Sequence, residues 1–325
     1  MKRTIIAAYL ALFISAVTAY SAVGQLYRGS SPAESPAAAE PSPAQVTARV
    51  VKEQIRVKKG DEVELMDMQE YLIGVVAAEM PAQFQPEALK AQAVAARTYA
   101  LYCAGTAKHG DAEVCTDYSC CQAWHSTGEL EQSWGDSYEV NLTLITKAVQ
   151  DTEGQYLSYD GAPVFAAFHA SSCGATEDCG AIWSAVPYLI SVDSPETAET
   201  VPNYISTVEL SALDFRDTIL SACPEAKLTG SPEGWLGAVA LDDSGRVSSV
   251  TIGGAELSGK ELRELFSLRS TAFTLEFTGQ SFLFTVTGNG HGVGMSQYGA
   301  NVMAADGSDY AQILAHYYPG TVLVV

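Results

Sequence analysis

Two apolar helices written back to back, with a proline closing one and another opening the next, set the centre of this fold. In Glu70-Tyr-Leu-Ile-Gly-Val-Val-Ala-Ala-Glu-Met-Pro81, residues Tyr71, Leu72, Val75 and Val76 recur at helical spacing. Pro81 marks the end, because the residue before a proline is pushed out of the helical region. Pro86 opens the second helix, in a first turn whose N–H groups have no intrahelical partner anyway. That helix carries Leu89, Ala93, Ala96 and Ala100 on one face and is rich in small residues, so tight packing is predicted.

Glu79 falls on the Leu72/Val76 stripe, at the C-terminal end of the first helix. Desolvation and the negative end of the helix dipole both disfavour its charge. Each would raise its pKa, which suits a general acid working near neutral pH. The competing reading is a surface Glu in a last helical turn. Lys90 and Arg97 lie seven residues apart on one face of the second helix. That face is either simply solvated or a holder of sugar or carboxylate groups.

Two later segments are polar in the same suggestive way. His169, with Ser171 and Ser172, ends an apolar strand, as a structural histidine or as part of a loop reaching into a cleft. Gly290-His-Gly-Val-Gly-Met-Ser-Gln297 surrounds His291 with glycines, which permit positive φ and close approach of a ligand. His291 and Gln297 suit sugar recognition by hydrogen bonds, and the alternative is a tight turn with packing glycines. No nucleophile elbow, phosphate-binding loop or dinucleotide fingerprint is present, so serine-hydrolase, nucleotide and hydride chemistry have no support.

The remaining pattern predicts strand over Gln45–Val57, a turn at 58–60 and more sheet from Glu62 to Met66. Strand, turn at Asp160-Gly161 and strand follow between Leu157 and His169. Short strands with a helix near Gly259–Phe266 occupy Ile205–Phe284, and a closing helix spans Tyr310–Tyr317. With no alternating βαβ rhythm, the expectation is an α+β protein of mixed sheets and packed helices, forming a two-lobed body.

Of seven cysteines, three stand with a histidine in the order His109, Cys115, Cys120, Cys121. Thiolates and imidazole suit a tetrahedral zinc ion, and four protein ligands would leave no open position, so the role would be structural. The rival is a disulfide, which an exported compartment allows. His125 is a spare ligand. Cys173 and Cys179 flank a short loop that a disulfide can close.

Lys2 and Arg3 precede an uncharged run from Thr4 to Val23, long enough to span a bilayer with the charged end inside. A signal peptide cleaved after Val17-Thr-Ala19 is the rival, and either exports the rest. Residues 1–28 are therefore an anchor or signal and 29–48, rich in Ser, Pro and Ala, a semi-stiff linker. Residues 49–325 form the folded body. A net charge of -20 argues against nucleic acid or an anionic membrane surface as the main partner.

The pair of helices, with GVV-x-x-EMP followed by PEALKAQAVAARTYA, resembles the signature of the stage II sporulation protein D (SpoIID/LytB) family. Phe168-His-Ala-Ser-Ser-Cys-Gly-Ala-Thr-Glu177, Pro187-Tyr-Leu189, Ser258-Gly-Lys-Glu-Leu-Arg263 and Gly290–Ala300 resemble further family segments in the same order. Cys173 departs from the family's usual glycine. Cys120 stands where some members have a second metal-binding histidine, which implies a three-Cys, one-His centre here.

The resemblance implies a lytic transglycosylase that cuts peptide-stripped peptidoglycan glycan strands and leaves 1,6-anhydro-muramic ends, in engulfment during sporulation. Glu79 would serve alone as acid and base. Lys90, Arg97, His169, Ser171, Ser172, His291 and Gln297 would bind substrate, and Lys90 and Arg97 would contact the lactyl carboxylate. Expected partners are an amidase and a membrane protein, with the body facing the cell wall. The alternative is a non-enzymatic wall-binding modifier that recruits or stimulates an N-acetylmuramoyl-L-alanine amidase.

Overall fold

The computed structural model describes residues 52–325 apart from Ala107. The expected anchor and linker lie outside those residues, as does the first part of the strand expected from Gln45. Among the described residues, no helix is long and apolar enough to cross a membrane.

The chain enters on a hairpin, β1 (Gln54–Lys59) and β2 (Glu62–Asp67), turned at Gly60 with φ +61°. Strand pairing therefore runs through Lys58 and Lys59, two residues past the predicted strand end at Val57. Asp67 ends β2 and caps the next element, accepting from the Gln69 and Glu70 N–H groups at 2.8 and 3.2 Å. Helix α1 (Met68–Glu79) then stops as Pro81 requires, with Met80 extended at φ -133° and ψ 136°. Helix α2 (Pro86–Ala104) begins at its proline.

Nearly all of α2 is buried, including every residue from Ala91 to Leu101. It runs through a first core shared by α1, α4 (Tyr138–Asp151), α8 (Gln297–Ala305) and α9 (Tyr310–Tyr317). Three small sheets border this core. They are β2-β1-β3, with β3 at Val114–Cys115; β14-β4-β5, with β4 at Tyr156–Tyr159, β5 at Ala162–Pro163 and β14 at Val322–Val324; and a parallel pair of β6 (Phe168–His169) with β13 (Met295–Ser296). The β6–β13 register sets His169 opposite Ser296, which brings two distant sequence motifs side by side. The predicted second strand before His169 is broken: only Ala162–Pro163 pairs with β4, and Phe168–His169 pairs elsewhere.

A second core is aromatic. Phe215, Trp235, Phe266, Phe273, Phe282 and Phe284 gather between the sheets β10-β9-β8 and β11-β12-β7. These strands are β7 (Ile205–Ser211), β8 (Leu236–Leu241), β9 (Val247–Ile252), β10 (Ala255–Ser258), β11 (Phe273–Phe277) and β12 (Ser281–Thr287). Phe282 stacks on Phe215 with centroids 3.9 Å apart. Helix α7 (Gly259–Leu265) falls where the sequence placed it, and its Ser258–Glu261 capping box explains the start. Helix α6 (Ala212–Ala222) was not predicted. Ser211 caps it through the Asp214 N–H at 3.1 Å, and it buries Phe215 and Ile219, four residues apart. The architecture is the expected α+β one, with a core in each lobe.

Arg97 is only 3% exposed. Its Nη1 donates to the carbonyls of Thr152 and Gln155 at 2.7 and 3.1 Å, and Nη2 to that of Val149 at 3.4 Å. These carbonyls lie at and just beyond the end of α4, where a cation also meets the negative end of the helix dipole. Arg97→Met, which strands those acceptors, should lower the unfolding free energy by about 2–3 kcal/mol in denaturant titrations.

Candidate functional site

Gly74 is where the site begins. A Cβ there would lie 2.3 Å from Trp124 Nε1 and 2.7 Å from the His125 carbonyl oxygen. Glycine thus lets the segment Gln122–His125 lie directly on α1, with the His125 N–H donating to the Gly74 carbonyl at 3.2 Å. The same segment delivers the Ala123 N–H to Glu79 Oε1 at 2.7 Å.

Glu79 is half-buried at the end of α1 and lines a cavity of about 810 Å³. Burial raises its pKa above the ordinary carboxylate value, opposed by the Ala123 N–H and the Gln297 amide. Gln297 itself is 5% exposed, and its Nε2 is buried with no partner at hydrogen-bonding distance among the described residues. The cleft also takes in Cys120, Cys121, Phe165, His169, Trp183 and His291 from the first lobe, and Lys260, Arg263 and Glu264 on α7. Among the described lining residues Glu264 is the one other carboxylate, and it is exposed.

The two histidines differ in role. His169 is 5% exposed, with Nδ1 3.3 Å from the Val293 carbonyl and Nε2 2.8 Å from Ser172 Oγ. A carbonyl only accepts, so Nδ1 carries the proton and Nε2 accepts from the serine. Burial holds the ring's pKa well below the usual imidazole range, with His291 and Arg246 pushing the same way. His291 is less enclosed. Its Nδ1 accepts from the Val293 N–H at 3.1 Å, which leaves the neutral ring protonated at Nε2. Burial, followed by Arg263, lowers its pKa to about 4, against the pull of the Phe168 carbonyl. Trp183, 44% exposed, sets its ring 5.0 Å from His291 and offers an aromatic face to the cleft.

The other expected binding residues stand apart from this cavity. Arg97 serves the end of α4, as described, and Lys90 Nζ pairs with Glu87 and Asp151 at 2.8 and 3.5 Å. Ser171 is 2% exposed and exchanges backbone hydrogen bonds with Asn289. Ser172 is fully buried, with its hydroxyl on His169 and its N–H on Glu196 Oε1 at 2.6 Å. Both serines shape the loop and neither lines the cleft.

Two residues that the sequence did not single out hold the motifs together. Glu196, 2% exposed, accepts from the Ser172 N–H and from the hydroxyls of Ser194 and Ser296, the last being the N-cap of α8. It thereby fixes the helix start that carries Gln297. Arg246, 1% exposed, reaches from the β8–β9 turn and lies 3.5 Å from Glu177 through Nε. Its guanidinium carbon sits 2.6 Å from where a Cβ on Gly292 (φ +86°) would be, so only glycine fits there. Burial and Asp242 push the Glu177 pKa up to about 7, while Ser244 and Arg246 favour its charge. A carboxylate in a Ser-Pro-Glu loop and an arginine in a hairpin turn both look solvated in sequence, which is why neither was found.

The donor atoms of His109, Cys115, Cys120 and Cys121 all lie within 4.8 Å of one another. His109 Nε2 is 3.1 Å from Cys121 Sγ and 3.8 Å from Cys120 Sγ. Ligand edges of about 3.5–3.8 Å are what bond lengths near 2.0–2.3 Å imply for a tetrahedral ion, so the set fits a soft metal. The Cys121 thiol is pushed down to about 4, chiefly by Cys103, with His109 and Cys115 contributing. All seven cysteines are free, so the expected Cys173–Cys179 disulfide is not formed; Cys179 is buried, its thiol 3.2 Å from the Ser184 carbonyl.

Comparison with known proteins places this arrangement in a family. The profile of the Stage II sporulation protein (SpoIID) matches residues 56–159. Stage II sporulation protein D of Bacillus subtilis (strain 168) is 41% identical over 264 residues, covering 80% of this chain and 75% of that one. Its Bacillus amyloliquefaciens counterpart is 40% identical over 263 residues, 79% and 74% of the two chains. A Bacillus subtilis protein named amidase enhancer is 29% identical over 311 residues, 78% of this chain and 40% of that one. The chain belongs to the stage II sporulation protein D family.

A raised pKa means that ionising Glu79 costs the folded state more than the unfolded one. Wild-type stability relative to Glu79→Gln should therefore fall as pH rises past the unfolded value near 4.5. Thermal melts should show the Gln variant the more stable at pH 7, with the gap closing near pH 4.

Proposed function

We propose that this chain is a lytic transglycosylase acting on peptide-stripped glycan strands of peptidoglycan. The observation that carries the reading is the Glu79 carboxyl, half-buried with a raised pKa in a cleft of ligand size. An ordinary glycosidase sets two carboxylates about the bond. Here one group serves twice. Glu79 protonates the glycosidic oxygen as the bond to C1 breaks. As a carboxylate it then takes the proton of the muramic acid C6 hydroxyl, whose oxygen bonds to C1. The proton returns to Glu79, and no water is consumed. The Ala123 N–H and Gln297 amide stabilise the charged intermediate state of the acid, and Trp183 offers a sugar ring an apolar face.

Digestion of peptide-free strands by wild type should leave 1,6-anhydro-muramic ends, read by mass spectrometry. Glu79→Gln should cut about 10²–10⁴-fold more slowly. Undiminished cleavage by the variant would sink this reading.

The same proposal has His109, Cys115, Cys120 and Cys121 hold a structural zinc ion. Zinc would supply a cross-link, with no open position for substrate. Its value to the site is local, because Gln122 and Ala123 follow directly after the last ligand. Cobalt substitution should give one ion per chain with intense thiolate charge-transfer bands, weakened in Cys120→Ser. The segment Thr4–Val23 is proposed to anchor the body on the outer face of the membrane.

A second reading is favoured by the similarity to a protein named amidase enhancer. In it the chain binds the wall and stimulates an amidase without cutting glycan, and Glu79→Gln would then be tolerated.

A further inference from the structure

A chain of net charge -20 repels polyanions, so any anionic group of a substrate needs a local cation to meet it. The cleft has such a place. Lys260 and Arg263 lie three residues apart on α7 and both line the cavity that holds Glu79. Neither makes an ion pair among the described residues. Arg263 Nε donates to the Leu268 carbonyl at 3.2 Å, which fixes the plane of the guanidinium. Among the described residues, both Nη groups are left without a hydrogen-bond partner, on a half-buried side chain. A fixed planar fork with free donors is the geometry that takes a carboxylate through two parallel hydrogen bonds.

The chemistry of the polymer says which carboxylate that is. In intact peptidoglycan the lactyl group of each muramic acid is tied to a stem peptide as an uncharged amide. Removal of the peptide frees one carboxylate on every muramic acid, and the sugar backbone carries no other charge. Resting on the transglycosylase reading above, we propose that Arg263 selects peptide-free glycan by binding a freed lactyl carboxylate, with Lys260 one turn earlier adding to the attraction. Arg263 is a specificity residue in this scheme, while Glu79 does the chemistry.

The test is binding to the full-length chain carrying Glu79→Gln, so that nothing is cut. Three probes are compared: peptide-free strands, the same strands with lactyl carboxylates converted to methylamides, and chitin oligosaccharides of equal length. Native strands should bind about tenfold or more tightly than the other two. Adding Arg263→Gln should bring all three to one affinity, and Arg263→Lys, which keeps charge but not the fork, should keep only part of the gap. A role confined to capping α7 would alter melting temperature and leave the gap unchanged.

A full gap in either Arg263 variant, or no gap in the parent, overturns the proposal. Should the Gln variant melt early, the Lys variant carries the test alone. Failure of the transglycosylase reading looks different. Carboxylate-dependent binding without cleavage by the Glu79 protein removes that activity and leaves the selection. Cleavage with equal affinity for native and amidated strands removes the selection and leaves the activity.

Discussion

The buried contact of Arg246 with Glu177 and Gly292 is the constraint on which the rest of the site depends. A guanidinium cannot be neutralised at accessible pH, so it is buried only where charge and shape both suit it. Glu177 supplies charge, and the missing Cβ of Gly292 supplies room. The arginine comes from the aromatic-cored lobe, and the residues it meets belong to the loops that carry His291 and His169. This contact therefore fixes the lobe that bears α7 against the loops beside Glu79. The histidine pKa values follow from it in part, because Arg246 opposes protonation of both rings. With the histidines neutral, the proposed reading leaves the role of acid in the cleft to Glu79.

A second frame works from below. Glu196 gathers the Ser172 backbone and the Ser194 and Ser296 hydroxyls, and Gly299 leaves space for it beside Tyr317. Through Ser296 it sets the start of α8 and so the place of Gln297. Through Ser172 it sets the partner of His169. A surface carboxylate would be worth little in either role, but a buried one whose oxygens all have donors is a strong organiser. The cluster of His109, Cys115, Cys120 and Cys121 completes the enclosure by shaping the chain just before Ala123.

Much of this was legible in the residues, and the failures have physical causes. Pro81 and Pro86 placed the ends of α1 and α2, because proline acts locally through φ and a missing donor. The spacing of His109, Cys115, Cys120 and Cys121 predicted a cluster that the fold closes. The place of Glu79 at the end of α1 was legible because its stripe and the following Pro81 are both visible in sequence. Helical spacing puts Lys90 and Arg97 on one face, and the family resemblance assigned that face to substrate. Helix α2 is buried nearly all round, however, and periodicity cannot tell which neighbour a face meets when every face is covered. Ser171 and Ser172 were misread for a related reason: polar residues after a strand point to a cleft or to a buried network, and only tertiary packing decides. Lys260 and Arg263 reach the cleft from a different lobe, a juxtaposition that no local pattern encodes.

The account stands on one carboxylate serving twice, although Glu264 also borders the cleft. Cleavage of peptide-free strands in ¹⁸O-labelled water, followed by mass spectrometry of the new ends, separates the possibilities. The account predicts unlabelled ends, because the C6 hydroxyl supplies the attacking oxygen. Label at the new ends would contradict it, and would mean that a second base such as Glu264 delivers water.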